Sequence, residues 1–340
     1  MAAAIAFVLG VAVPLAGCGA GNGPAPEPTG GAKRLKVALL VPGLTNDGSF
    51  NQVAREAVER LEQEGRVDAD IREKMADPAV AEPVVREYAT KGYDLVIGHG
   101  IELLEPVLKV AGAFPKVHFA VAGGPDALRR AAANVEVWTF DFGQQGYLAG
   151  FVAGKIRDVR TAGLVSGPQL PFLETIHSGF KAGLKDADPS RRWLEVYTGS
   201  FDDVQKAVEA TTGLIDQGAQ VIFTTGDGIA FGVASAAARR EPKALTIGVT
   251  GDAGGLARQV NVTSIELDMY PTFRSYVDRV AAGAFGNQGY TADLANKGLV
   301  PTPIAEGARD PRVPADLQVQ VDKLVADLAS GARKLPSFGP

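Results

Sequence analysis

Short apolar runs alternate with amphipathic segments along most of the chain. The runs are nearly continuous, as in parallel strands buried on both faces, whereas segments such as PAVAEPVVREYATKG repeat apolar positions at helical spacing. The pattern predicts an α/β protein whose strands are KVALLVPG, DLVIGHG, KVHFAVAGG, VEVWTFDF, TAGLVSG, WLEVYTGSF, QVIFTTGDG and ALTIGVTGD.

The same strand–helix order occurs twice. Gly92 and Pro115 open consecutive strand runs in the first half, and Gly218 and Pro242 do so in the second half. This repeat favours two Rossmann-like lobes with parallel sheets joined by a hinge over one large sheet. Ligands of such sheets bind beyond the carboxyl ends of the strands, so we expect a cleft lined by the loops GLTNDGSF, GHGIE, AGGPD, SGPQLPF, TGDGIAF and TGDAGG.

Composition and motifs narrow the class of protein. Apolar residues make up 46% of the chain and charged residues 21%, which is typical of a globular protein, and the net charge of -5 argues against a nucleic-acid surface. A Walker A motif, a G-x-S-x-G elbow, correct G-x-G-x-x-G spacing and a zinc-type His/Cys cluster are all missing from the sequence. We therefore predict no catalytic residue, no metal and no cofactor.

The single cysteine, Cys18, ends an apolar N-terminal segment in which LAGC resembles a bacterial lipobox. We expect a signal peptide over residues 1–17, lipidation of Cys18, and a flexible Gly/Pro-rich tether over 18–33. The protein would then be anchored by lipid at the extracytoplasmic face of the cell membrane. The alternative is a plain secretory signal with an incidental cysteine, and the segment lacks the Lys or Arg of typical signal peptides.

The stretch NDGSFNQ places an aromatic ring at a strand-to-helix turn. Phe50 there would stack on a flat ligand, while the neighbouring Asn46, Asp47 and Asn51 would hydrogen-bond to it. The alternative is a helix cap in which Phe50 packs as a hydrophobic staple. The spacing alone does not choose between them.

Several motifs in order resemble the basic membrane protein (Bmp) family, and together they extend over most of the mature chain. They are VALLVPGLTNDGSFNQVAREAVERL, DLVIGHG, VLKVAGAFPKVHFAVAG, GYLAGFVAGKI, SGFKAGLKDADP, YTGSFDD and GVTGD. The resemblance implies a lipoprotein of the type I periplasmic-binding-protein fold, many of which bind purine nucleosides for ABC-type importers.

The resemblance also implies roles for single residues. Phe50 would stack on the base, Asp47 and Asn51 would correspond to the family's flanking acid and amide, and Asp252 to an acid after a GVxxD-type strand. A second aromatic residue from the other lobe would complete the sandwich. We assign it to Phe231, with Phe172 as the competitor, although Phe231 could also be a helix core residue.

Two positions depart from the family pattern. An acidic residue is common where this chain has Gly123, and a lysine is common where it has Glu266, Leu267 and Asp268. Both changes affect the polar side of the site, so a free purine or another flat heterocycle is an alternative to a nucleoside. Asp227 and His99 are candidates for replacement contacts.

These observations predict a monomeric receptor that carries a purine-type ligand to an ABC permease. Lobe 1 would comprise residues 34–139 and about 267–292, and lobe 2 residues 140–266 and about 293–335. The chain would cross between lobes near Phe140, near Glu266 to Tyr270 and near Ala292 to Asn296. The alternatives are a ligand sensor not coupled to import and a nucleoside-cleaving enzyme in which Asp47, Asp227 and Asp252 converge.

Overall fold

The computed structural model describes residues 34–241, 243–249, 257–304 and 310–338. The described strands form two six-stranded sheets with helices between consecutive strands, and both sheets lie in the compact unit Arg34–Pro340. The predicted α/β fold with two sheets is therefore confirmed. We call each sheet together with its helices a lobe.

Lobe 1 is built on a sheet whose paired strands are all parallel. The strands are β1 (Leu35–Leu40), β2 (Val67–Arg72), β3 (Leu95–Gly98), β4 (His118–Ala122), β5 (Val135–Phe140) and β11 (Gly289–Ala292), in the order β11-β5-β4-β3-β1-β2. The helices are α1 (Phe50–Gln63), α2 (Pro78–Thr90), α3 (Leu104–Ala111), α4 (Pro125–Arg130) and α9 (Met269–Ala281), with a 3-10 turn at Ile101–Leu103. The central strands β1 and β3 are buried because helices cover both faces.

Lobe 2 repeats this plan with one antiparallel edge strand. Its strands are β6 (Thr161–Ser166), β7 (Arg192–Tyr197), β8 (Val221–Thr225), β9 (Leu245–Val249), β10 (Asn261–Leu267) and β12 (Leu299–Pro301), in the order β12-β10-β9-β8-β6-β7. Only the β10–β12 pair among these described strands is antiparallel. The helices are α5 (Phe142–Lys155), α6 (Pro171–Ala187), α7 (Val204–Asp216), α8 (Ile229–Ala238) and α10 (Leu317–Ala329), with a 3-10 turn at Ala257–Gln259.

Three connections join the lobes in the described part of the chain: from β5 to α5, from β10 to α9, and from β11 to β12. Hydrogen bonds tie these connections together. The backbone N–H of Asp141 donates to Ala292 O at 2.9 Å, and that of Asp268 donates to Gly298 O at 3.1 Å. The side chain of Gln144 accepts from the backbone N–H of Leu294 at 3.1 Å. The three connections therefore form one bonded hinge region.

Helices α5 and α6 pack backbone against backbone. A Cβ atom added to Gly146 would lie 2.0 Å from Ile176 O, and one added to Gly183 would lie 2.0 Å from Tyr147 O. Along the same interface, a Cβ on Gly150 would lie 2.0 Å from Phe180 O, and one on Gly179 would lie 2.4 Å from Gly143 O. Only glycine fits at such a distance, so these residues fix the separation of the two helices.

Candidate functional site

The loop between β1 and α1 is held by the carboxylate of Asp47. Its oxygens accept from the backbone N–H groups of Ser49 (2.9 Å), Asn51 (3.1 Å) and Gln52 (3.0 Å), and from the Asn51 side chain at 2.6 Å. Asn51 in turn accepts from the backbone N–H of Gly43 at 3.2 Å. Asp47 therefore satisfies donors that the first turn of a helix leaves free. Contacts from Asp47, Asn51 and the exposed Asn46 to a ligand remain predictions.

Phe50 is the first residue of α1 and is half-buried, with its ring lying on another side chain. Its centroid is 3.8 Å from that of His99, with the planes inclined by 23°, and His99 stacks in turn on Trp138 at 5.3 Å. The alternative of a helix cap is met in part, because Asp47 caps α1, but Phe50 is not a hydrophobic staple, since it follows the N-cap Ser49 and its ring rests on a residue that follows β3.

His99 packs against one face of the Phe50 ring. Its side chain is completely buried, and its Nε2 donates to the backbone carbonyl of Phe50 at 2.8 Å. Burial lowers the pKa of the His99 imidazole to about 4, so the ring is neutral near pH 7. The interpretation of His99 as a ligand contact needs correction in this arrangement, because its two ring faces are covered by Phe50 and Trp138.

Aromatic rings continue from Trp138 through the hinge into lobe 2. Consecutive centroid distances are 5.2 Å from Trp138 to Phe140, 5.9 Å to Phe142, 5.1 Å to Phe172 and 6.4 Å to Phe201. The two rings of the last pair are nearly parallel, with 15° between their planes. We call this set the aromatic series.

Phe201 is a residue that the sequence analysis missed. It follows β7, its ring packs where a side chain on Gly167 would lie, and its carbonyl accepts from the backbone N–H of Ile229 at 3.0 Å. It therefore lies where the loops after β6, β7 and β8 meet. Phe231, on the first turn of α8, is 36% exposed and makes no ring contact with the described part of the aromatic series.

Asp227 connects lobe 2 to the start of α1. The Ser49 hydroxyl donates to Asp227 Oδ1 at 2.5 Å, and the backbone N–H of Phe50 also donates to this carboxylate. Burial, together with the nearby carboxylates of Asp47 and Asp202, raises the pKa of Asp227 to about 6, although the hydrogen bond from Ser49 lowers it. The predicted residues Phe50, Asp47 and Asp227 are thus brought together across the cleft.

The two positions that depart from the family pattern have local structural roles. A Cβ on Gly123 would approach Ala127 Cβ at 3.0 Å and Val137 Cγ1 at 3.1 Å, so there is little room for a side chain. Asp268 is the N-cap of α9 and accepts from the backbone N–H of Tyr270 at 2.9 Å.

A buried polar cluster in lobe 2 resembles a catalytic triad in its connections. Ser166 Oγ lies 2.5 Å from His177 Nε2 and 2.5 Å from Thr225 Oγ1, and His177 Nδ1 lies 3.0 Å from Glu195 Oε2. Ser166 and His177 are 0% and 1% exposed, whereas a nucleophile must reach its substrate. The cluster ties together the ends of β6 and β8 and the helix α6.

A cavity of about 580 Å³ lies at the hinge and not beside Phe50. The connection Phe140–Gln144 forms one wall, and the C-terminal residues Arg333 to Phe338 form another. None of the predicted ligand contacts lines it.

Two predicted residues, Asp252 and Cys18, lie outside the described residues. Within the described ranges, no group of His, Cys, Asp and Glu side chains is arranged to hold a metal ion. In the same ranges, no helix combines the length and apolar character that crossing a bilayer requires.

The known proteins that this chain is similar to are consistent with the fold described above. Residues 34–303 match the model of the Bmp family, described as ABC transporter substrate-binding protein PnrA-like. The chain is 26% identical over 267 residues to basic membrane protein B of Borrelia garinii subsp. bavariensis, covering 77% of this chain and 76% of that protein. It is 27% identical over 194 residues to a purine-binding protein of Brucella abortus, covering 56% of this chain and 54% of that protein.

Known structures are similar over nearly the whole chain. An ABC transporter solute-binding protein from Conexibacter woesei is 48% identical and superposes with a TM-score of 0.79, covering 90% of this chain and 100% of the other. A carbohydrate transporter solute-binding protein from Agrobacterium radiobacter, in complex with D-arabinose, has a TM-score of 0.61 at 15% identity, covering 82% and 97%. The latter shares only the fold.

Proposed function

Because the chain belongs to the Bmp family of PnrA-like ABC transporter substrate-binding proteins, we propose that it binds a purine nucleoside or free purine base between its lobes and presents it to an ABC permease. The observation that carries the choice of ligand is the Phe50 ring, which lies at the cleft edge already oriented by His99. A flat heterocycle gains about 1–3 kcal/mol by stacking on such a ring. The name of the Brucella relative, a purine-binding protein, agrees with this choice.

Phe201 is our candidate for the second aromatic contact, in place of Phe231. Phe201 follows a strand of lobe 2 and its ring is half-buried, and its neighbour Asp202 acts on the same carboxylate that meets Phe50. Phe231 lies on the exposed side of α8. Phe172 would pack against the ring of Phe201, as His99 packs against the ring of Phe50.

Binding would proceed by hinge closure and needs no bond-making step. We assign the hinge to the three bonded connections, with lobe 1 as residues 34–139 and about 267–292 and lobe 2 as 140–266 and about 293–335. The permease would recognise the closed form. Complete burial of Ser166 supports binding without turnover, and an assay for free base released from adenosine or inosine tests this.

The decisive experiment is thermal unfolding of protein refolded from denaturant to remove carried ligand. The panel holds adenosine, guanosine, inosine, uridine, adenine, hypoxanthine and riboflavin. A ligand at 100 times its Kd adds about 2.7 kcal/mol to the free energy of unfolding. A shift with purines supports the proposal, and a shift with bases alone identifies a base receptor. If no member of the panel shifts the transition, the purine assignment is wrong.

Lipid anchoring at Cys18 is a separate part of the proposal and has its own test. Cells expressing the protein are grown with labelled palmitate, and a Cys18→Ala variant serves as the control. We expect label only on the wild-type protein, together with loss of the variant from the membrane fraction. Equal behaviour of the two would indicate a plain secretory signal.

A further inference from the structure

The contact between Ser49 and Asp227 spans the cleft. Ser49 is the N-cap of α1 in lobe 1, yet its hydroxyl makes no bond to its own helix and donates to Asp227 of lobe 2 instead. Asp227 also accepts from the backbone N–H of Phe50. Asp47 and Asp227 together therefore satisfy the N–H groups of the first turn of α1, one from each side of the cleft.

We propose that Ser49 and Asp227 form a latch that closes the cleft without ligand, and that closing is coupled to the uptake of a proton. The inference rests on the hinge motion in the proposed function but not on the identity of the ligand. Opening would separate Asp227 from Ser49 and return the carboxylate to water, where it ionises freely.

The groups around Asp227 explain why closing the cleft would take up a proton. The charged groups that act on it are Asp47, from the loop before α1, and Asp202, from the loop before α7, and both are carboxylates. Burial and these charges raise its pKa to about 6, while the hydrogen bonds from Ser49 and Phe50 oppose the rise. Because the pKa is raised in the closed form, closing is favoured at low pH and loses this contribution as the pH rises through 6.

The size of the effect follows from the two pKa values. With an ordinary aspartate in the open form and the raised pKa in the closed form, the closed-to-open ratio is about tenfold higher at pH 5 than at pH 8. His99 does not interfere in this range, because its own pKa of about 4 keeps it neutral throughout.

The test is a distance between the lobes measured without ligand. Spin labels are attached to cysteines introduced at the exposed Ala79 (start of α2) and Gln205 (start of α7), in a Cys18→Ser background. Double electron–electron resonance spectroscopy then gives the distribution of distances between the two labels at pH 5 and pH 8. We expect the short-distance population to grow at pH 5 in the otherwise wild-type protein.

Variants separate the latch from other titrating groups. Asp227→Asn keeps the acceptor oxygen and removes the charge, so its distribution should be the same at both pH values. Ser49→Ala removes the donor and should shift the distribution to longer distances at both. Asp202→Asn, the matched control, should retain most of the pH response.

The proposal is overturned if the wild-type distribution does not change with pH, or if Asp227→Asn still responds. Thermal unfolding of each variant checks that it is folded. Since no ligand is added, a pH-dependent latch in a protein that binds no member of the purine panel would contradict only the ligand assignment. Purine binding in a protein without the pH response would contradict only the latch.

Discussion

Phe50 and His99 lie face to face, with their ring centroids 3.8 Å apart and their planes 23° from parallel. The imidazole also donates from Nε2 to the backbone carbonyl of Phe50, so the ring and the backbone of one residue are fixed by a single neighbour. Phe50 therefore loses little further freedom when a ligand stacks on it, which favours affinity.

Removing the Phe50 ring should weaken ligand binding. Phe50→Ala loses the stacking surface, about 1–3 kcal/mol, which corresponds to about 5- to 150-fold in Kd. Phe50→Tyr keeps the ring and should stay within a few-fold of wild type. Isothermal titration with the ligand identified in the panel measures both. Equal affinity of Phe50→Ala and wild type would contradict the stacking role.

Two phenylalanine variants in lobe 2 test which residue makes the second aromatic contact with the ligand. We expect Phe201→Ala to lower affinity by a similar factor, because its ring lies among the cleft loops. Phe231→Ala should have little effect, because this ring is exposed on α8. The opposite ranking in the same titration would restore the assignment made from the sequence.

Folding stability should depend on pH through His99. The folded pKa of about 4 lies below that of the unfolded chain, so the contribution is complete above pH 6.5 and is lost as the pH falls toward 4. The loss amounts to about 3 kcal/mol. Asp227 acts in the opposite direction, because its folded pKa is raised, and it masks part of the effect in the wild-type protein.

A comparison of wild type with His99→Phe isolates this group, since Asp227 is present in both. Urea unfolding at pH 7 and pH 4.5 gives the free energy of unfolding of each protein. The variant should lose less stability than wild type between the two pH values. A constant difference between the proteins would show that His99 does not titrate in this way.

The glycines between α5 and α6 should not tolerate a methyl group. Gly183→Ala places a Cβ 2.0 Å from Tyr147 O, so the helices must separate, at a cost of about 3 kcal/mol or more. Gly213→Ala is the control, because no atom lies within 4 Å of its added Cβ. It should raise stability by about 0.4–1 kcal/mol. Thermal unfolding of the two variants should move in opposite directions.

A buried ion pair supports lobe 1 at the start of β5. The side chain of Glu136 is 0% exposed and accepts from Arg279 Nε at 2.9 Å and from the backbone N–H of Gly286 at 3.0 Å. Arg279→Met leaves this carboxylate without its cation and should cost about 3–5 kcal/mol. Arg86→Met, which breaks an exposed pair with Glu82, should change stability by less than about 0.5 kcal/mol. Urea unfolding compares them.

The fold was predictable because buried parallel strands appear in the sequence as continuous apolar runs. The strand β2 was missed for the converse reason: VDADIR alternates polar and apolar residues, as expected of an edge strand with one covered face. Short edge strands such as β12, with three residues, carry too little pattern to detect.

The site was predictable only in part. Phe50 and Asp227 could be named because their loops follow strand runs, but the stacking of His99 on Trp138 depends on the pairing of separate strands. Phe201 did carry a signal, since Gly199-Ser200-Phe201 repeats the Gly48-Ser49-Phe50 tripeptide in the other lobe. The role of Asp47 as a helix cap could not be read from the sequence, because aspartate is equally suited to a cap and to a ligand contact.

The glycine contact between α5 and α6 has a consequence for how the molecule responds to temperature. Backbone atoms meet there directly, so no side-chain torsions lie between the helices to loosen on warming. The thermal expansion of this helix pair should be small. Phe142 and Phe172, which stand on the first turns of the two helices, should then keep the spacing of their rings as the temperature rises.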